Sequence, residues 1–154
     1  MRSYAVDSKE SLARVVVMAL LADGAIDPSE LRLLERPEII ARMGFDQACL
    51  LRVTQEFCHD LEQFAHNSRS GELGLDTQTI DLLLADIQTP ALQANLLRAM
   101  LDVVYADGHL TGGEATVIAQ AMKRWGLDLC GERNQPQERR WKFTSRRNSE
   151  VSSE

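Results

Sequence analysis

Apolar residues recur every three or four positions along most of the chain, which is the spacing of helices with one buried face. No stretch alternates between apolar and polar residues for long enough to indicate a strand. The clearest apolar positions are Leu12, Val15, Val16, Ala19 and Leu20 in one segment, and Leu50, Val53, Phe57, Leu61 and Phe64 in another. The pattern predicts an all-α fold.

Capping residues, prolines and glycines divide this pattern into about seven helices. We expect the first helix to open with a capping box over residues 7–10 and to end near Ala22. The expected later helices cover residues 28–36, a stretch through Ile39, Ile40 and Met43 that ends at Gly44, residues 47–67, a stretch from about Thr77, and residues 90–106 and 112–125. The helix from about Thr77 is expected to be short and buried because of the apolar residues in it and just before it: Leu73, Leu75, Ile80, Leu82, Leu83 and Leu84.

A nine-residue motif occurs twice, at positions 84 residues apart. Residues 22–30 read ADGAIDPSE and residues 106–114 read ADGHLTGGE. The match extends outward at the same offset and pairs Arg14 with Arg98, Val16 with Met100 and Leu34 with Ile118. A repeat of this length predicts two related helical halves.

The motif has a purely structural interpretation as a turn between two helices. Gly24 and Gly108 can adopt the left-handed conformation that ends a helix. Asp27 and Thr111 are suited to cap the next helix, and the glutamate three residues later completes a capping box. This interpretation does not explain why an aspartate precedes the glycine in both copies.

A cation site would explain that aspartate. The spacing Asp-Gly…Glu is that of the second half of an EF-hand loop, but the earlier ligand positions of that loop are apolar here, so neither copy can be an EF-hand alone. Four carboxylates, those of Asp23, Glu30, Asp107 and Glu114, would instead form one cluster if the two copies met in space. Such a cluster suits a divalent cation, with Ca²⁺, Mn²⁺, Mg²⁺ and Zn²⁺ all open.

The twin motifs, their separation and the closing Gly44-Phe45-Asp46 and Gly126-Leu127-Asp128 resemble the tellurite-resistance TerB family over roughly residues 8–130. The resemblance implies a single all-helical domain of about seven helices, whose two halves are related by a pseudo-twofold. It also implies that Asp23, Glu30, Asp107 and Glu114 bind a divalent metal. Its further implication is a protein partner in a tellurite- or stress-response complex.

Charge is unevenly distributed along the 154 residues. Residues 1–130 contain 11 basic and 19 acidic side chains, whereas residues 131–154 contain six and four. The acidic body argues against specific nucleic-acid binding. Three cysteines without a C-x-x-C pair argue against a disulfide framework or zinc ribbon, and no apolar run has the length of a membrane span. Since the N-terminus also lacks the apolar segment of a signal peptide, we expect a cytoplasmic protein.

The segment 131–154 differs in character from the 1–130 domain that precedes it. Its polar, unpatterned composition predicts a disordered tail. The alternative is an anchor for an anionic surface, either phospholipid at the inner face of the membrane or RNA, because Arg139, Arg140 and Lys142 are interleaved with Trp141 and Phe143.

Other candidate sites are weaker. Glu56 and His59 match one Glu-x-x-His pair of a di-iron bundle, but a second pair is missing. His59, Glu62 and His66 fall on the solvent side of their helix, where a polar face is the default and a surface zinc site the alternative. His109 lies inside the second motif and is a possible extra ligand.

No nucleophile elbow, Walker loop or dinucleotide fingerprint is present, and we expect no enzymatic activity. Two hypotheses remain. The first is a TerB-like, metal-binding stress-response protein acting in a complex. The second is a metal-independent helical interaction module, adaptor or co-chaperone-like, in which the motif carboxylates only cap helices.

Overall fold

The fold is known from a computed structural model that describes residues 1–22, 24, 28, 32, 35–67 and 75–128, except for the side chains of residues 67, 106 and 107. Six α-helices lie in this part of the chain and no strands do: α1 (Lys9–Leu20), α2 (Pro37–Met43), α3 (Gln47–Asn67), α4 (Thr77–Ala85), α5 (Pro90–Asp107) and α6 (Gly112–Trp125). The all-α prediction is confirmed. The helix expected over residues 28–36 lies largely outside the described residues, and the tail 131–154 lies wholly outside them.

Helix α1 is the centre of the molecule. Every residue from Ser11 to Leu20 is buried, because α3, α4, α5 and α6 all pack against this helix. The run Val15-Val16-Val17-Met18 is apolar on all sides, which is typical of a helix with no solvent face. Burial of each such side chain stabilises the fold by about 1.5–3 kcal/mol.

The start of α1 differs from the prediction. Ser8 is the N-cap, and its hydroxyl accepts a hydrogen bond from Ser11 N at 3.2 Å. The expected capping box over residues 7–10 is wrong because the Asp7 carboxylate accepts from Gln88 and Thr89 instead. The cap at Asp46 was predicted correctly, and its carboxylate accepts from Cys49 N at 2.7 Å.

Two side chains that the periodicity placed in the core are exposed. Phe64 lies half exposed in the fifth turn of α3. Helix α3 has 21 residues and α1 has 12, so α3 is about 13 Å longer than the helix on which it packs. Leu82 is 71% exposed because Ile80, Leu83 and Leu84 form the buried face of α4 and Leu82 lies on the other side.

Equivalent helices of the repeat have different surroundings. Arg14 and Met18 of α1 are buried, whereas their counterparts Arg98 and Asp102 of α5 are exposed. The difference arises because α1 is covered on all sides while α5 has an outer face. None of the helices in the described segments is both long and apolar enough to cross a membrane.

Candidate metal centre

Both motif glycines adopt the predicted left-handed conformation. Gly24 has φ +89° and Gly108 has φ +70°. Gly108 ends α5, and Gly24 N donates to Leu21 O at 2.9 Å just after α1. A Cβ at either position would meet no atom within 4 Å, so the backbone conformation alone favours glycine there.

The second motif copy forms the capping box that its sequence predicts. Thr111 Oγ1 accepts from Glu114 N at 3.2 Å, and Glu114 Oε2 accepts from Thr111 N at 2.8 Å. Glu114 is 2% exposed although it lies in the first turn of α6. A buried carboxylate is costly unless hydrogen bonds or a cation compensate it, so its burial is a feature that a surface cap would not need.

Glu114 borders a small cavity between α1 and α5. The cavity has a volume of about 10 Å³, which is near the space that one water molecule needs. The rest of its lining consists of three pairs of residues at the repeat offset of 84: Val16 with Met100, Ala19 with Val103 and Leu20 with Val104. The C-terminal parts of the two equivalent helices therefore converge beside Glu114.

Of the four predicted metal ligands, only Glu114 is fully described. Asp23 and Glu30 lie outside the described residues, and Asp107 is described in its backbone alone, as the last residue of α5. The capping bond uses Oε2 of Glu114, and a carboxylate has a second acceptor oxygen, so the cap and a metal bond are chemically compatible. Among the side chains that the structure describes, no three of His, Cys, Asp or Glu are placed to hold a metal ion.

That finding excludes the surface zinc site on α3. His59, Glu62 and His66 are all exposed, as predicted, but they do not form a group that could bind a metal. A ring nitrogen of His59 is instead 3.0 Å from Gln63 Nε2.

Glu56, the acidic member of the Glu-x-x-His pair, has a structural role. It accepts a hydrogen bond from the Tyr4 hydroxyl and pairs with Arg2 and Arg52 at 3.2 and 3.5 Å. The hydrogen bond from Tyr4, aided by both arginines, holds the pKa of Glu56 below its usual value. Its environment is that of an ion-pair network and not of a metal ligand.

A buried cation, Arg14, is the main feature that sequence reasoning missed. Arg14 is 3% exposed; its guanidinium pairs with Asp86 and stacks 4.6 Å from the Tyr4 ring centroid. Burial lowers the pKa of Arg14, and Asp86 partly offsets that effect. One signal was available: an arginine inside a helix that is apolar on all sides must find a buried partner.

A family model described as "Tellurite resistance protein TerB" matches residues 9–130. The match covers most of the chain and includes both motif copies. No curated protein and no solved structure gives a significant match.

Proposed function

The chain belongs to the TerB family, and on that basis we propose that it binds a divalent cation where α1 and α5 converge. Asp23, Glu30, Asp107 and Glu114 would supply the ligands. The observation that carries the proposal is the convergence of repeat-equivalent residues of both helices beside the buried carboxylate of Glu114.

Chain length is compatible with a shared site. Asp23 follows the cavity-lining Leu20 by three residues, and Asp107 follows the cavity-lining Val104 by three. Three residues span at most about 11 Å, so neither aspartate is far from the cavity. Glu114 borders the cavity, and Glu30 is its equivalent in the first copy.

The type of ligand limits the type of metal. Four carboxylates are hard oxygen donors, which suit Ca²⁺, Mg²⁺ or Mn²⁺ better than Zn²⁺. Bringing four negative charges together is unfavourable without a cation, so the proposed site should be most stable when loaded. The cation would then fix the relative positions of the two helical halves.

Calorimetric and thermal-melt titrations with Ca²⁺, Mg²⁺, Mn²⁺ and Zn²⁺ test this proposal. We expect saturable binding and stabilisation in the wild type, and neither in Asp23→Asn/Asp107→Asn. Glu38→Gln/Glu62→Gln removes the same charge from exposed positions and should bind as the wild type does. A flat response of the wild type to all four ions would contradict the proposal.

The cellular role that fits is non-enzymatic. The loaded protein would act in a cytoplasmic stress- or tellurite-response complex, with protein partners and with the basic tail available for an anionic membrane. Capture of the same partners with and without chelator tests this role, since a metal-dependent scaffold should lose partners when the cation is removed.

A metal-independent interaction module is the second candidate. Tyr105 and Leu110 are 70% and 59% exposed on either side of Gly108, and both are large apolar groups that a partner could cover. In this case Tyr105→Ser/Leu110→Ser should reduce partner capture, whereas Asp23→Asn/Asp107→Asn should leave it unchanged.

A further inference from the structure

The segment before α1 lies against α3. Arg2 N donates to Asp60 Oδ2 at 2.8 Å, and the Arg2 guanidinium lies 3.2 Å from Glu56. The Tyr4 hydroxyl also bonds Glu56, and Arg14 Nη1 of α1 donates to Arg2 O at 2.5 Å. These contacts attach both ends of the short segment 2–4 to the helices beneath it.

The same segment holds the start of α5. Asp7 Oδ1 accepts from Gln88 N at 2.7 Å, and Asp7 Oδ2 accepts from Thr89 Oγ1 at 2.6 Å and from Thr89 N at 3.1 Å. Thr89 is the N-cap of α5 but makes no side-chain capping bond of its own. Asp7 therefore stabilises a helix that begins more than 80 residues later.

The backbone of Asp7 is adapted to this task. Asp7 has φ +56°, and no other described non-glycine residue has a positive φ. This conformation disfavours most side chains, although aspartate and asparagine tolerate it better than others. Asp7 N also donates to Asp86 O at 2.8 Å, so the strained residue is fixed from both its backbone and its side chain.

Adjacent residues thus hold the starts of both helices that lead into the twin motifs. Ser8 caps α1, and Asp7 accepts hydrogen bonds from Gln88 and Thr89, the two residues that lead into α5. The two helices run in the same direction, because their N-termini meet at residues 7 and 8 and their C-terminal halves meet at the cavity. Residues 7 and 8 and the motifs lie at opposite ends of the helices, about 18 Å apart along α1 and about 27 Å along α5.

We propose that residues 2–8 form an N-terminal latch whose docking sets the relative position of the two motif copies, with Asp7 as the positioning residue. Release of the latch would free Gln88 and Thr89 at the start of α5, because the backbone N–H groups of both residues bond to Asp7. Because α1 is buried from Ser11 to Leu20, α5 is the helix that would shift. The inference rests on the proposed function only for its effect on cation affinity.

Coupling between latch docking and cation binding is reciprocal. If a docked latch strengthens cation binding, a bound cation must strengthen latch docking by the same factor. Cation binding at the motifs would thereby change how firmly Arg2 and Tyr4 are docked, on a surface distant from the cation site.

Amide hydrogen exchange and calorimetry of the whole chain test the latch. Asp7→Asn keeps the size of the side chain and tolerates the left-handed backbone. Its single carboxamide oxygen cannot replace both carboxylate oxygens that accept from Gln88 and Thr89. We expect faster amide exchange at residues 2–8 and 88–93, and exchange that is at least about five-fold faster at residues 103–110. The affinity for the preferred ion among Ca²⁺, Mg²⁺ and Mn²⁺ should be at least about five-fold weaker. Thr89→Val, which removes one hydrogen bond to Asp7, should produce the same pattern at smaller size.

Asp76→Asn is the matched control. Asp76 Oδ1 accepts from Thr79 N at 2.7 Å and caps α4, which leads into neither motif. This variant makes the same substitution at the start of a helix that leads into neither motif, and it should leave both the exchange at 103–110 and the affinity unchanged.

Two failures are distinguishable. A wild type that binds none of the ions defeats the proposed function, while exchange at 103–110 still decides whether the latch is coupled to the motif. If Asp7→Asn loosens residues 2–8 and leaves 103–110 as in the wild type, the latch proposal is overturned, whatever the ions do.

Discussion

Ala19 and Val103 occupy equivalent positions in the two copies of the repeat, and both line the cavity beside Glu114. Residues at equivalent positions of the two copies of the repeat therefore lie close together in the fold. The residues that face one another across this cavity are apolar, so apolar packing holds the two helices together there. The polar residues of the motifs lie in the turns that follow.

The turn after α5 should depend on its glycine. Gly108→Ala is expected to lower the free energy of unfolding by about 1–2 kcal/mol, because a side chain disfavours φ +70°. Gly112→Ala is the control: its backbone is helical and its Cβ would also meet open space, so it should be neutral or stabilise by up to about 1 kcal/mol. Urea denaturation measures both, and equal effects would show that the left-handed turn is not the cause.

Arg14 should be far more important for stability than its repeat counterpart. Arg14→Met removes the partner of Asp86 and the stack on Tyr4, and we expect a loss of about 2–3 kcal/mol, because the half-buried Asp86 can regain part of its hydration. Arg98→Met, at an exposed position of α5, should cost at most about 1 kcal/mol, because polar contacts of an exposed arginine contribute little to stability. Similar losses in the two variants would contradict the burial of Arg14 as the reason.

The capping box of α6 can be separated from cation binding. Thr111→Ala should cost about 1 kcal/mol of stability through loss of the bond from Glu114 N. Thr116→Ala, whose hydroxyl only bonds Gly112 O on the exposed face, should cost little. Cation affinity should fall much less in Thr111→Ala than in Asp107→Asn, since Thr111 supplies no carboxylate. Denaturation measures the loss of stability, and calorimetry measures the cation affinity.

The latch should weaken in alkali. Burial and the hydrogen bond to Glu56 raise the pKa of Tyr4 to about 12, above the value near 10 of an unfolded tyrosine. A raised pKa means that the contribution of Tyr4 to stability is fully present below pH 10 and is lost as the pH rises toward 12. Denaturation at several pH values should therefore show a stability difference between wild type and Tyr4→Phe that shrinks over this interval.

Tyr105→Phe is the control for that experiment. It removes the exposed tyrosine of α5 and should leave the alkaline loss of stability as large as in the wild type. An alkaline loss that persists undiminished in Tyr4→Phe would assign it to another group.

Several local interactions could be predicted from the sequence because they join residues that are three or four positions apart. The capping box of Thr111 and Glu114 and the left-handed glycines belong to this class. The bond from Thr89 to Asp7 joins residues 82 apart, and no local pattern indicates it. Periodicity identifies an apolar stripe but not the length of the neighbour that covers it, which is why Phe64 was misplaced.

Arg14 and Arg98 illustrate the same limit within the repeat. They have the same side chain at equivalent positions, yet one is buried and the other exposed. The deciding factor is how many helices surround each one, which is a property of the assembled fold. The grouping of the four motif carboxylates is likewise tertiary, and it remains a prediction for the titrations to test.

The burial of α1 from Ser11 to Leu20 has a consequence for synthesis on the ribosome. Helix α3 becomes available soon after α1, but α6, which completes the cover, ends at Trp125, about 105 residues after Leu20. At about 5–20 residues per second, α1 waits roughly 5–20 s with part of its apolar surface open. The yield of folded protein should therefore respond to translation rate and to chaperones that hold nascent chains, even when the finished domain is stable.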